Sequence, residues 1–351
     1  MYLGKTKINQ EVRISKEAPN LSTVVTGVSG SGKSERVADM ENHIIHEGGT
    51  VLAFDLDGTH PEVDNKNVNV IDARRDGIPL KILDPDILKR APEDVASYVS
   101  SVAEVLLSAY RSGDRQMGVL REAIMFGLKH RDRFICDFEA IEEGLNVIGT
   151  NTALGVRDKI WPLLRCNIFR KGQKVLHQGK INIISLKGID YELKKVVSEM
   201  CLRAFWNHVR NTSLANKVTI VIDEFQNMPM GKKSTIFEMM REARKYGINM
   251  ILSTQTVMTF SKEALSAIDQ AAVHLYFHPA SNEVKKIAAQ IAPDNVEKIT
   301  SMLQKLKVGE SLVSGDIEAN NRVISYPIII RTDFKKGQYT ENCTQQLLRR
   351  I

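Results

Sequence analysis

Residues 27–34 read Gly27-Val28-Ser29-Gly30-Ser31-Gly32-Lys33-Ser34, a complete G-x-x-x-x-G-K-S sequence set between an apolar run at 21–26 and a helical pattern at 35–47. Strand, glycine-rich turn and helix in that order leave the chain few choices. The glycines let successive backbone N–H groups converge on an anion, and the helix that follows adds the positive end of its dipole. Gly27, Val28, Ser29, Gly30, Ser31, Gly32, Lys33, Ser34 and Glu35 are therefore the expected nucleotide-contacting residues. Lys33 is expected to reach the β- and γ-phosphate oxygens, and the Ser34 hydroxyl to ligate Mg²⁺. A strand that delivers its chain to such a loop belongs to a parallel sheet, so the expected fold class is α/β.

The rest of the chain repeats that alternation. Short β-rich apolar runs at 21–26, 51–56, 68–72, 181–186, 218–223, 249–253, 273–277, 311–314 and 323–331 predict strands, separated by helical patterns. Between the third and fourth run no strand signal occurs. Residues 91–110, 116–130, 138–145 and 156–169 carry apolar positions at helical spacing instead, for example Val95, Val99, Val102 and Leu106. The expected organisation is a mainly parallel α/β core interrupted by an all-α insertion. Its parts are 1–84 and 173–332 for the core, 85–172 for the insertion, and a polar tail at 333–351.

A second chemical element follows at 217–225, where Lys217-Val218-Thr219-Ile220-Val221-Ile222-Asp223-Glu224-Phe225 reads as a buried strand ending in two acids. An apolar strand holds carboxylates rigidly at its carboxyl end, which is where open α/β sheets bind ligands. Asp223 is then placed to hold Mg²⁺ and Glu224 to act as general base on the attacking water. The helical pattern at 236–246 carries Arg241, Arg244 and Lys245, and Gly247 closes it. The next strand ends in Thr254-Gln255, where Gln255 sits as a sensor of the γ-phosphate or the lytic water; the alternative is a plain polar cap on the strand. Arg241 and Arg244, three apart, suit arginine fingers offered to a neighbouring subunit, or equally a solvated basic face.

Two other patterns compete for attention. Phe54-Asp55-Leu56-Asp57-Gly58-Thr59 looks like the nucleophile motif of haloacid-dehalogenase-type phosphatases, with Asp55 as nucleophile and Asp57 as acid/base, and 315–318 as a late acidic motif. That fold begins at its motif, whereas here a phosphate loop precedes it. Asp55 is better read as a strand-end acid near the ribose or the Mg²⁺ shell. His43 and His46 are three apart on the first helix, but no third ligand accompanies them, and a surface or interface role is expected.

With 43% hydrophobic and 26% charged residues among 351, the chain can bury a real core, and no apolar run approaches the ~20 residues of a membrane span. A cytoplasmic protein is expected, its Cys136, Cys166, Cys201 and Cys343 reduced. The net charge of +6 permits nucleic-acid binding. Basic residues gather at Lys129, Arg131 and Arg133, at Arg157, Lys159, Arg165, Arg170 and Lys171, and at Lys232 and Lys233.

Taken in order, these stations resemble the HerA/FtsK superfamily of RecA-like motor ATPases, in its HerA-like and conjugative-transfer branches. The resemblance rests on GVSGSGKS at 27–34, FDLDGTH at 54–60, DKIWPLLRCNIFRKG at 158–172 and INIISLKGIDYELKKVVSEMCLRAFW at 181–206. It continues through VIDEFQNM at 221–228, REARKYGINMILSTQ at 241–255 and LKVGESLVSGD at 306–316. It implies a RecA-like core, ATP and Mg²⁺ as cofactors, a homo-hexamer, and DNA gripped without regard to sequence, with a nuclease or effector as a possible partner. A protein-directed secretion-type motor and a nucleotide-gated switch on a partner effector are the alternatives. About 20 residues precede the first core strand, where HerA-type proteins usually carry a β-barrel, so the chain is expected to correspond to the motor.

Overall fold

The computed structural model describes residues 1–58, 60, 67–170, 174–211, 217–231, 234–257 and 260–332. Among these residues thirteen strands form one sheet: β1 (Tyr2–Lys5), β2 (Glu11–Ile14), β3 (Thr23–Thr26), β4 (Thr50–Asp55), β5 (Val68–Asp72), β6 (Ile181–Ser185), β7 (Val218–Ile222), β8 (Ile248–Thr254), β9 (Val273–Tyr276), β10 (Glu310–Gly315), β11 (Ile317–Ala319), β12 (Arg322–Ile324) and β13 (Ile328–Arg331). The helices are α1 (Lys33–His46), α2 (Pro92–Leu106), α3 (Asp114–Lys129), α4 (Asp137–Ile148), α5 (Asn151–Arg165), α6 (Tyr191–Asn211), α7 (Thr235–Glu242), α8 (Lys262–Ile268), α9 (Val284–Ile291) and α10 (Val296–Gln304).

The sheet has two halves. Strands β9-β3-β8-β7-β4-β6-β5 are parallel throughout, and β10, β13, β1, β2, β11 and β12 continue the sheet from β9 in antiparallel pairs. Every strand expected from sequence is present. The antiparallel half is larger than expected, because β1, β2 and β11 carried no apolar run, and the run at 323–331 is divided by Ser325-Tyr326-Pro327 into β12 and β13. Proline lacks the N–H a ladder needs, so the strand stops there.

Parallel strands are buried on both faces, and their side chains alternate between two cores. Leu52 and Phe54 of β4, Ile220 and Ile222 of β7, and Met250 and Leu252 of β8 point to one core; Val51, Ala53, Val221 and Ile251 point to the other. Helix α1 covers the second face through Val37, Ala38, Met40 and Ile44. On the first face lie α6, α7 and the helices α2–α5, which share one continuous core with the strands. Trp206 of α6 is fully buried there and meets Tyr246 edge to face, ring centroids 5.0 Å apart, so the segment after α7 is pinned to α6. Helices α9 and α10 build a smaller core beside β10. Among the described residues no helix is long and apolar enough to cross a membrane.

Candidate active site

Strand β3 delivers the chain to the glycine-rich loop between the ends of its two neighbours. Gly27 N–H donates to Thr254 O of β8 at 3.3 Å, and Val28 N–H to His278 O, just past β9, at 2.9 Å. Gly32 is the N-cap of α1 with φ 100°, and a Cβ there would come within 2.8 Å of the Gly309 backbone, whose own N–H donates to Ser31 O. Only glycine fits that position. Because Gly32 has no side chain to cap the helix, the first amides of α1 are left for an external acceptor.

Lys33 is buried, and its Nζ donates to Gly27 O at 2.7 Å and Val28 O at 3.2 Å. Burial pulls its ammonium below the ordinary lysine pKa, and the nearby charges of Glu224, Asp223 and Glu35 act in the opposite direction. One turn on, Arg36 is wholly buried. Its guanidinium donates to Leu3 O at 2.6 Å and Gly309 O at 3.2 Å and lies 5.8 Å over the Phe277 ring. Gly4 makes room for it, since a Cβ there would sit 2.1 Å from Nη1. Arg36 thus ties the phosphate-loop helix to β1 and to the turn before β10. Sequence reading passed over it, because nothing in a lone arginine on an amphipathic helix signals burial.

At the end of β7, Asp223 N–H donates to Phe54 O at 3.4 Å, and the chain kinks at Glu224 into the left-handed region (φ 52°, ψ 46°). For a residue with a Cβ that conformation costs about 1 kcal/mol. The Glu224 N–H donates to Asp223 Oδ1 at 3.1 Å. Gln255, directly after β8, donates from Nε2 to Glu224 Oε1 at 2.8 Å. Strand β8 lies between β3 and β7, so three adjacent strand ends bring Lys33, Asp223, Glu224 and Gln255 together. An uncapped helix N-terminus, a lysine, a serine hydroxyl at Ser34 and two carboxylates form a donor set that fits a polyphosphate and a hard divalent cation such as Mg²⁺.

Arg241 and Arg244 stand apart from this cluster. Helix α7 ends at Glu242 and tightens into a 3-10 turn over Ala243–Tyr246, so the two arginines straddle the change. Both are exposed, and neither makes a hydrogen bond or ion pair among the described residues. Asp55 is buried in a local role: Oδ1 accepts the N–H groups of Gly58 at 2.9 Å and His60 at 3.3 Å, closing the turn after β4. Asp57 pairs with Lys194, and Glu318 accepts the Lys16 N–H far out in the antiparallel half. The phosphatase motif is therefore dispersed.

Several of the basic residues are likewise committed. Arg131 pairs with Asp137 and donates to Phe134 O, Arg165 forks onto Glu142 at 2.6 and 2.7 Å, Lys159 donates to Gln116, and Arg170 donates to the Arg74 and Arg75 carbonyls. Lys129 and Arg133 are exposed, while Lys171, Lys232 and Lys233 lie outside the described residues. His43 stacks on Tyr2 at 3.7 Å between centroids, and no group of side chains suited to a transition metal occurs among the described residues. Cys136, Cys166 and Cys201 are free thiols, and Cys343 lies outside the described residues.

A parallel core in the order β9-β3-β8-β7-β4, with the glycine loop after β3, the acid pair after β7 and a glutamine closing the strand between them, defines a RecA-like P-loop ATPase. Within that class the chain belongs to the family described as "Helicase HerA, central domain", whose model matches residues 2–205. It is 21% identical over 364 aligned positions to the DNA double-strand break repair helicase HerA of Saccharolobus solfataricus, across 94% of this chain and 67% of that protein. Among solved structures it is similar to VirB4 of Thermoanaerobacter pseudethanolicus, with TM-score 0.72 and 15% identity over 95% of this chain and 96% of the other. It is also similar to the bacterial conjugative coupling protein TrwB, with TM-score 0.64 and 14% identity over 92% and 87%.

Proposed function

We propose that this chain is an ATP-driven DNA translocase that works as a homo-hexamer in the cytoplasm, with residues 1–84 and 173–332 as its motor, 85–172 as an insertion and 333–351 as a tail. The observation that carries the reading is the convergence of Lys33, Asp223, Glu224 and Gln255 on three adjacent strand ends beside the N-terminus of α1. In it, residues 27–35 cradle the phosphates and Lys33 takes the β/γ oxygens. Ser34 and Asp223 hold Mg²⁺, which offsets charge on the terminal phosphate. Glu224 draws the proton from the attacking water, and Gln255 reports the state of the γ-phosphate. Membership of the HerA family and the DNA-repair relative support DNA as the substrate.

Arg241 and Arg244, exposed and uncommitted among the described residues, act as fingers in a neighbour's site. Arg244→Ala is expected to keep ATP affinity within about three-fold and to lose turnover by at least ~10²-fold, and doping it into wild-type rings should lower their rate more than in proportion. A strictly monomeric species hydrolysing ATP at the full rate per subunit would remove the finger role.

A second reading, a motor directed at protein, is favoured by the internal pairing of Arg131, Lys159, Arg165 and Arg170, which leaves less free basic surface for phosphates than the sequence suggested. Steady-state ATPase measured with and without single- and double-stranded DNA, beside mass photometry for stoichiometry, separates the two. Stimulation by unrelated DNA sequences, weakening as salt rises, is expected of the translocase. Absence of DNA binding at low salt would favour the protein-directed motor.

A further inference from the structure

Gln226 lies two residues beyond Glu224 on the 3-10 turn Phe225–Asn227, and its amide is used at both ends. Its Nε2 donates to Glu224 Oε2 at 2.5 Å, and its Oε1 accepts the hydroxyl of Thr254 at 2.6 Å. A carboxylate can only accept, so the amide nitrogen faces Glu224 and the amide oxygen falls to the Thr254 hydroxyl, whose hydrogen also has Thr256 O at 2.9 Å. Thr254 is the last residue of β8 and is fully buried. The other Glu224 oxygen is held by Gln255, so the two oxygens are gripped by two amides, one on the turn after β7 and one just past the end of β8.

We propose that Gln226 is a positioning residue for the Glu224 carboxylate, anchored to β8 by Thr254. The proposal rests on Glu224 being the general base. A base has to sit within hydrogen-bond reach of the water it deprotonates, and a carboxylate on a kinked, left-handed backbone keeps rotational freedom that only its side-chain partners remove. Gln226 supplies a donor to one oxygen without adding charge. Thr254 keeps that donor from turning, because it occupies the acceptor end of the same amide. The contact also joins the carboxyl ends of β7 and β8, so movement of one strand end reaches the base directly. The line of contacts continues past Gln255: the Thr256 hydroxyl meets Glu283, the buried N-cap of α9.

The test is steady-state ATP hydrolysis by the full chain, with nucleotide affinity read separately from a fluorescent ATP analogue. Gln226→Met keeps the length of the side chain and removes both bonds. It is expected to lower kcat by about 10-fold or more while KM and analogue affinity stay within about two-fold, as misplacement of a reacting group does. Thr254→Val also frees the Thr256 backbone, which the hydroxyl engages at 2.9 and 3.3 Å. It should lose less than Gln226→Met, and the double variant should lose clearly less than the product of the single losses, because the two residues share one contact to the base. Turnover by Gln226→Met within about two-fold of wild type would overturn the proposal. So would a parallel loss of analogue affinity, or a double variant whose loss is the product of the single losses. Glu224→Gln run alongside separates the levels: wild-type turnover there sinks the base assignment itself, whereas a slow Glu224→Gln with a normal Gln226→Met sinks only the positioning role.

Discussion

Glu224→Gln is expected to bind ATP with wild-type affinity and to hydrolyse it at least ~10²-fold more slowly. The substitution is nearly isosteric, so the left-handed backbone at this position is kept. What disappears is a group able to accept a proton from water. Gln255 and Gln226 donate to different oxygens of the native carboxylate, so an amide at 224 can keep its oxygen toward Gln226 while its nitrogen faces Gln255, whose exposed amide has to turn its own oxygen inward. Single-turnover hydrolysis beside equilibrium binding checks both halves of the expectation. Turnover equal to wild type would mean that the acid pair closing β7 has another task.

Lys33→Ala is expected to be more damaging, because it removes charge that acts on substrate binding and on the developing transition state together. Loss of hydrolysis by ~10² or more is expected, with weakened nucleotide binding. Burial already holds this ammonium below the usual lysine range while Asp223, Glu224 and Glu35 favour its charged form. The side chain also ties the loop together through the Gly27 and Val28 carbonyls. Lys33→Arg keeps the charge but brings a wider, planar head to a buried position, so it should fail to restore the rate. Binding of a fluorescent ATP analogue and phosphate release measure the two effects. A Lys33→Ala protein with normal turnover would place the chemistry elsewhere.

The glycine-rich loop after β3, the acid pair after β7 and the glutamine just past β8 were all legible, because each is a polar signal at the end of an apolar run, and runs of that kind declare their own strand. The parallel strands announced themselves for the same reason. Strands β1, β2 and β11 did not: Tyr-Leu-Gly-Lys, Glu-Val-Arg-Ile and Ile-Glu-Ala are too short and too polar to stand out, and they are strands by virtue of partners distant in sequence. Arg36 and Gln226 were missed on similar grounds, since each is defined by backbone or side-chain atoms contributed from other parts of the chain. The basic clusters were legible as charge but not as free charge. Local charge runs are visible in sequence, but Asp137, Glu142 and the carbonyls that engage Arg131, Arg165 and Arg170 are found only in three dimensions.

The placement of β1 and β2 has a consequence for how the molecule is made. Lys5 pairs with Arg331 and Arg13 with Glu318, contacts between residues more than three hundred positions apart. At about 5–20 residues per second, the ribosome leaves the first hairpin waiting for roughly tens of seconds before β11 and β13 exist. A two-stranded hairpin is marginal in water, and its open edge invites pairing with other chains. Arg36 waits equally long, since one of its carbonyl acceptors is Gly309. The glycine-rich loop is encoded near the start of the chain, yet the helix behind it is braced only when translation has reached the final strands, so a nascent chain carries the motif before its surroundings exist.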